Sequence, residues 1–316
     1  MTENIECKPL IFNSLSREII ESYKKLVIPS ALELLDDPAN PLYLLIGIEA
    51  RLNNQLIGLS LAQFTPEEGT VHLHSLMVDE PFRRRGIGAF LFEYTQTYFR
   101  EHYKCNSIGF NYLANSLEET IIEKLLIRFD WLIPKVYLIR CYFLLDRFNP
   151  AWFQRQISKS KPKGLKVFAW RKLKTNERKR IIFEREQGVF LPYLDPFLKE
   201  DIISPLNSLG VRHNNAVVGW CITHRIQPDT LRYSILFMEK EYHLSGIWLV
   251  SQSIQLQKKH SNLFPKAVFD TVYQETDLSW WYFVIRHLAP YAEKVEKLKW
   301  AIKFFALCLF LNEHLA

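Results

Sequence analysis

Long apolar runs are what this sequence chiefly lacks. The longest, Phe304–Leu311, is less than half of the ~20 residues that a membrane-crossing helix needs, so no membrane span is expected. The opening residues, MTENIECKPL, lack the basic start and apolar stretch of a secretory leader, which points to the cytoplasm. Five cysteines (Cys7, Cys105, Cys141, Cys221 and Cys308) stand singly with no CxxC, and that spacing supports neither a disulfide framework nor a zinc site. Nor does one sign of charge dominate, since 40 Lys and Arg face 34 Asp and Glu for a net +6. Most of the surplus lies between Arg155 and Arg180, where eleven basic residues accompany the single acid Glu177. That segment reads either as a solvated linker and helix face or as a docking surface for an anionic partner. Aromatic residues are not interleaved with these cations as they are in single-strand binders, which disfavours nucleic acid. What the chain does have is apolar and aromatic side chain, 48% and 14%, and that content excludes disorder as its main state.

A length of 316 residues favours two domains, and an internal repeat supports the division. Arg51-Leu52-Asn53-Asn54-Gln55-Leu56-Ile57-Gly58 reads as strand, Asn-Asn turn and strand; Arg212-His213-Asn214-Asn215-Ala216-Val217-Val218-Gly219 repeats it. Leu76-Met77-Val78 leading to Gly86 returns, at nearly the same offset, as Leu236-Phe237-Met238 leading to Gly246. Two domains of one fold are therefore expected, residues 1–155 and 165–316, joined by a basic linker at 156–164. Within the first, Ser14 and Ser16 offer caps for a helix, Pro41–Arg51 and Gln55–Phe64 form a hairpin, and Thr70–Val78 is a third strand. A helix from Ile87 to about Tyr103, a strand Ser107–Leu113, a helix Ser116–Phe129 and a strand Val136–Leu145 complete it. The fold class is α/β with a mixed, α+β-type sheet rather than a fully parallel one.

The chemistry is concentrated in Val78-Asp79-Glu80-Pro81-Phe82-Arg83-Arg84-Arg85-Gly86-Ile87-Gly88-Ala89, between a strand and an amphipathic helix. Two glycines allow a tight turn, the free amides of a helix start converge, and three arginines add positive charge: a pyrophosphate site. The spacing is neither that of a lysine-ended P-loop nor that of the dinucleotide fingerprint.

These residues resemble the signature of the GNAT acyltransferase superfamily, Arg or Gln, two residues, Gly, any residue, then Gly or Ala, which Arg83 to Gly88 matches throughout. The resemblance implies two tandem GNAT-like domains and an acyl-CoA co-substrate, acetyl-CoA or longer. Leu76, Met77 and Val78 would line the pantetheine; Arg83, Arg84, Arg85, Gly86, Ile87, Gly88 and Ala89 would hold the pyrophosphate; Asn115 would meet the arm from the next strand. It further implies direct attack of an amine on the thioester, with a backbone amide near Val78 facing the oxyanion. Where the family often carries a Glu base this chain has His72, with His74 two residues on and on the same strand face. The pair also reads as a buried hydrogen-bonded couple; a metal role lacks companion ligands, so no metal is expected. The family's thiolate-protonating tyrosine is replaced by Ile122, Asp130-Trp131 stands where Gly-Phe usually ends the helix, and Tyr112 reads either as sheet packing or as a substitute acid. In the second domain His243-Leu244-Ser245-Gly246-Ile247-Trp248 replaces the loop, which implies lost coenzyme binding.

The function these readings converge on is an acyl-CoA-dependent N-acyltransferase. Its acceptor would be an amine-bearing small molecule or peptide, with a Lys- or ornithine-type side chain as a refinement. Aromatic residues around Phe90, Phe92, Phe110 and Tyr112, or Trp280–Phe283 and Trp300–Leu311, form either core or a pocket for a longer, fatty acyl chain. A non-catalytic acyl-CoA-binding sensor is the alternative.

Overall fold

A computed structural model describes residues 5–36, 38, 41–158, 162–273 and 278–305. The order is β1 (Ile5–Ile11), α1 (Arg17–Tyr23), α2 (Glu33–Asp36), β2 (Leu44–Leu52), β3 (Gln55–Thr65), β4 (Thr70–Val78), α3 (Ile87–His102), β5 (Ser107–Leu113), α4 (Glu119–Arg128) and β6 (Lys135–Leu144). It continues with α5 (Ala151–Ser158), β7 (Leu165–Ala169), α6 (Thr175–Glu186), β8 (Leu209–His213), β9 (Ala216–Gln227), β10 (Thr230–Met238), α7 (Gly246–Lys258), β11 (Lys266–Val272), α8 (Ser279–Phe283) and β12 (Lys294–Phe304). The expected linker falls partly outside the described residues.

Two compact units emerge, and neither coincides with one of the two repeats. The first comprises residues up to 136 together with those from 298 onward; the second comprises 137–297. In the first unit the strands run β1-β2-β3-β4-β5, and Leu298–Phe304 of β12 then pairs antiparallel with β5. In the second they run β7-β8-β9-β10-β11, and β6 pairs antiparallel with β11 from Leu138 to Leu144. The strand that closes each sheet thus comes from the end of the other repeat. In both units one junction alone is parallel, β4 with β5 and β10 with β11.

The repeat read from sequence is a repeat of backbone detail. Asn53 and Asn54 have φ of 49° and 65°, Asn214 and Asn215 of 47° and 66°. Both pairs form the mirror-image turn whose twist suits a two-residue hairpin, and Asn tolerates the left-handed region better than most side chains. β1 was not expected from the sequence. It lies at the sheet edge, where Pro9 can lack an N–H without breaking a ladder.

α3 packs on one face of the first sheet. It buries Ile87, Leu91, Phe92, Thr95, Gln96 and Phe99, a stripe at helical spacing, against Ile57, Ala62, Leu73 and Ile108. Full burial contributes about 1.5–3 kcal/mol for each large apolar side chain among them. Phe90, expected on that face, is 42% exposed instead. The opposite face packs Leu59 and Leu61 against Ile20, Tyr23, Leu26 and Leu35 of the α1/α2 segment.

Candidate active site

β4 and β5 are paired only from Thr70↔Ser107 to Leu73↔Phe110. Beyond that point β4 stays with β3 as far as Val78, while β5 stays with β12 as far as Leu113. A wedge opens between them. Its apex is marked by a bulge, because the β3–β4 register steps from Ala62↔Leu73 to Leu61↔Ser75 and leaves His74 opposite nothing. Asp79 N–H donates to Ile57 O at 2.8 Å, so by the alternation of an antiparallel ladder Met77 turns its backbone toward β3. The backbone groups of Leu76 and Val78 face the wedge.

The loop after β4 is pinned at its start and open at its end. Asp79 caps a short turn over Glu80–Phe82, with its side chain accepting from Glu80 N–H at 2.9 Å. Arg83 Nε donates to Val78 O at 2.9 Å, so this arginine is folded back on the strand end. Arg85 donates to Pro81 O at 3.2 Å and lies over the Phe82 ring. Arg84 is exposed, with φ of 63°. Gly86 caps α3 with φ of 84°, and a Cβ there would meet nothing within 4 Å. At Gly88 a Cβ would meet only Val78 Cγ2, at 3.7 Å. The first amides of α3, at Ile87, Gly88 and Ala89, have no intrahelical acceptor and no capping side chain. A clear space beside free amides and guanidinium groups is what a diphosphate requires.

On the α1/α2 face of the apex lies an aromatic and amide cluster. Gln63 pairs with His72, and Ser75, on the same face as Leu61, accepts from Ile28 N–H at 3.1 Å. The His72 and His74 ring centroids are 4.3 Å apart, and His72 is 5.3 Å from Trp300. Trp300, supplied by β12 opposite Asn111, covers Gly109 so closely that a Cβ there would clash. His74 Nε2 lies 3.3 Å from Gln63 Oε1, and Asn111 Nδ2 lies 3.5 Å from His72 Nε2. Asn111 Oδ1 is buried with no hydrogen-bond partner among the described residues. Burial lowers the pKa of His72, and burial followed by the neighbouring His72 lowers that of His74 to about 3. Both rings are uncharged at neutral pH. No carboxylate contributes to either shift.

Tyr112 is on the other face, 6% exposed, stacked with Phe110 and packed in the α3/α4 core. Its hydroxyl donates to Glu123 Oε1 at 3.2 Å; burial first, then the Glu123 charge, raises its pKa. Lys299 from β12 lies 2.6 Å from the same Glu123 oxygen and 2.6 Å from Glu119. Asn115 is exposed with φ of 60°, and its N–H donates to Glu119 Oε2. Ile122 is half-buried against the core. Asp130 has φ of 55°, the conformation that a glycine there supplies, and Trp131 is buried with its N–H on Gln96.

The wedge therefore brings together His72, His74, Leu76, Val78 and the loop residues, with Tyr112 and Asn115 on β5 and just past it. Asn111 was not singled out in the sequence, and Trp300 only as the start of an aromatic stretch read as core or acyl-chain pocket. A lone Asn inside a strand of apolar residues was the available signal, since Asn is depleted in strands. Nothing placed Trp300 beside it, because its neighbour in the sheet is far away in sequence.

The second unit keeps the frame and fills the site. Its bulge falls at Ser234, matching His74. Gly246 has φ of −60°, and a Cβ there would lie 3.6 Å from Met238 and 3.7 Å from the Trp280 indole. Trp248 is buried. At the positions of His72, Asn111 and Trp300 stand Arg232, Asp270 and Arg140. Arg140 donates twice to Asp270, at 2.8 and 2.9 Å, with Arg232 at 3.7 Å. Among the described residues no cluster of His, Cys, Asp and Glu stands ready for a metal, and no helix is long and apolar enough to cross a membrane.

Residues 10–117 match the acetyltransferase (GNAT) family. No curated protein sequence is significantly similar to the chain. A tandem GNAT protein from the clavulanic acid biosynthesis pathway superposes over 95% of this chain and 98% of its own, at 13% identity and a TM-score of 0.61. A GCN5-related N-acetyltransferase from Sphaerobacter thermophilus does so over 95% and 96%, at 12% identity and 0.57. The GCN5-related glucosamine N-acetyltransferase region of a fungal multi-domain β-N-acetylglucosaminidase covers 96% of this chain and 38% of that one, at 11% identity and 0.61. Residues 10–117 thus carry the match to the acetyltransferase (GNAT) family, and the chain has the fold of tandem GNAT proteins.

Proposed function

We propose, on the premise of that domain match and fold, that the first unit transfers an acyl group from coenzyme A thioester to a primary amine. The observation that carries this reading is the clear space at Gly86 and Gly88 beside the free amides of α3, at the mouth of the β4–β5 wedge. In this reading the amides of Gly86 to Ala89, with Arg84 and Arg85, hold the pyrophosphate. Arg83 braces the strand end. The inward backbone groups of Leu76 and Val78 pair with the pantetheine arm, and Asn115 borders it opposite. The thioester supplies the acyl group, acetyl in the simplest case and longer if Phe90 and Phe110 accept a chain.

The amine enters from the α1/α2 face. Its nitrogen bonds the acyl carbon, the C–S bond breaks, and the proton it sheds passes to His72, directly or through water. His72 suits this better than His74, whose pKa near 3 makes it a poor proton acceptor. The departing thiolate takes a proton from Tyr112 or from solvent. A Lys- or ornithine-type peptide amine, suggested by the basic segment, is one acceptor of this class.

The second reading, an acyl-CoA sensor without chemistry, is favoured by one observation: Ile122 stands where the family's acid does, and the Tyr112 hydroxyl is already given to Glu123. Two variants separate the readings. Gly88→Trp, which installs the bulk of Trp248, is expected to weaken acetyl-CoA binding by calorimetry about 100-fold or more, because an indole replaces the approach that backbone amides need. His72→Ala is expected to lower amine-dependent thiol release about 100-fold while leaving that affinity unchanged. Full affinity in the first variant removes the site; thiol release that never depends on an amine leaves only the sensor.

A further inference from the structure

We propose that the acceptor end of the wedge selects an amine that arrives uncharged and flat, of the arylamine class, with its N–H on Asn111 Oδ1 and its ring against His72 and Trp300. This rests on the transferase reading above and narrows its acceptor.

Three observations converge. First, Asn111 is the residue of β5 immediately past the last pairing with β4, so its amide stands at the apex where the amine must arrive. Its Oδ1 is buried and lacks a donor. A buried acceptor left unmade is costly, and an incoming N–H removes that cost. Second, the neighbouring walls are aromatic: His74, His72 and Trp300 follow one another at 4.3 and 5.3 Å, tilted by 36° and 34°. Such surfaces hold a planar ring by offset stacking. Third, the cluster gives a cation no counter-charge, only ring faces and neutral acceptors. Neither histidine feels a carboxylate, and an ammonium brought into a desolvated site without a counter-charge is strongly disfavoured.

The second unit supplies the internal control. There the residue matching Asn111 is Asp270, and it is occupied by the guanidinium groups of Arg140 and Arg232. One frame thus holds cations where it carries a carboxylate and holds none where it carries the neutral amide. An alkylamine such as a lysine side chain, with a pKa of about 10.4, enters unit 1 only after losing its proton, whereas an arylamine is neutral throughout the physiological range. The attacking nitrogen keeps its lone pair for the thioester and uses N–H groups for Asn111 and His72.

The test pairs aniline with benzylamine on the full-length protein at pH 7.5. Binding of each is read by NMR line broadening in the presence of free coenzyme A, and turnover by thiol release from acetyl-CoA. Aniline is expected to bind at least about tenfold more tightly, with kcat/KM following the same order. Benzylamine binding as well or better overturns the proposal, as does failure of both to bind. Binding in the expected order without thiol release supports the selection and instead overturns the transferase reading. Asn111→Asp, which adds a carboxylate without changing shape, is expected to reverse the order in favour of benzylamine; an unchanged order in this variant removes Asn111 from the selection. Asn111→Leu is expected to lower aniline affinity about tenfold, and a melting temperature within a few degrees of the parent excludes misfolding as the cause.

Discussion

The two units share turns, bulges, the parallel junction and the closing antiparallel strand, yet differ at nearly every position that meets the wedge. Where the first has Gly86 at φ of 84° with open space, the second has Gly246 already wound into α7 under Met238 and Trp280. Where the first has His72, Asn111 and Trp300, the second has Arg140 doubly bonded to Asp270 with Arg232 alongside at 3.7 Å. Frame and site are therefore separable. A frame is maintained by apolar stripes and turn residues, and a handful of substitutions turns a cleft into a core.

The largest way to break this comparison is to empty the sealed site. Asp270→Asn leaves two guanidinium groups without their counter-charge in a partly buried position, and a loss of about 2–4 kcal/mol is expected in chemical denaturation. A cost below about 0.5 kcal/mol means the cluster is a surface pair and seals nothing. The glycines sharpen the contrast at smaller scale, since the same substitution carries opposite signs. Gly86→Ala is expected to cost about 1–2 kcal/mol from backbone strain alone, while Gly246→Ala is neutral or gains up to about 1 kcal/mol as a better helix former. Equal effects at both sites undo the claim that the two loops have different backbones.

Acid sensitivity is the smallest difference. His74 has its folded pKa depressed from 6.5 to about 3, so its contribution is complete above pH 6.5. It is lost as the pH falls toward 3, where the unfolded chain takes up a proton that the folded one refuses. By pH 5.5 this amounts to about 1 kcal/mol. Ser234, its counterpart, does not titrate. His74→Gln should therefore show a smaller drop in melting temperature between pH 7 and 5.5 than the parent protein, and an equal drop places the acid sensitivity elsewhere.

Much of this architecture was legible because it is local. Ser16 capping α1, the Asn-Asn turns, the glycines before α3 and the alternation of Thr70–Val78 all act within a few residues, and the elements appear within a few positions of where they were read. The pairing of β5 with β12 was not legible, because periodicity fixes which face a strand buries and says nothing of its neighbour. For the same reason Lys299 escaped notice and Trp300 was read without its place, although they flank the wedge on its two faces. The bulge at His74 was equally hidden. It keeps both histidines on the α1/α2 face with Ser75, so that Leu76 and Val78 face α3. Within the basic segment, Arg178 pairs with Glu200 and Arg180 with Glu184 and Glu239 at the surface, partners too far away in sequence for most of those pairs to be read.

The late arrival of β12 has a consequence for biosynthesis. When β5 leaves the ribosome its eventual neighbour has yet to be translated, and the first unit must wait, with one sheet edge bare, until Leu298–Phe304 has emerged. The half made first is the half finished last, and nascent chains stalled before residue 298 are the ones expected to need chaperones.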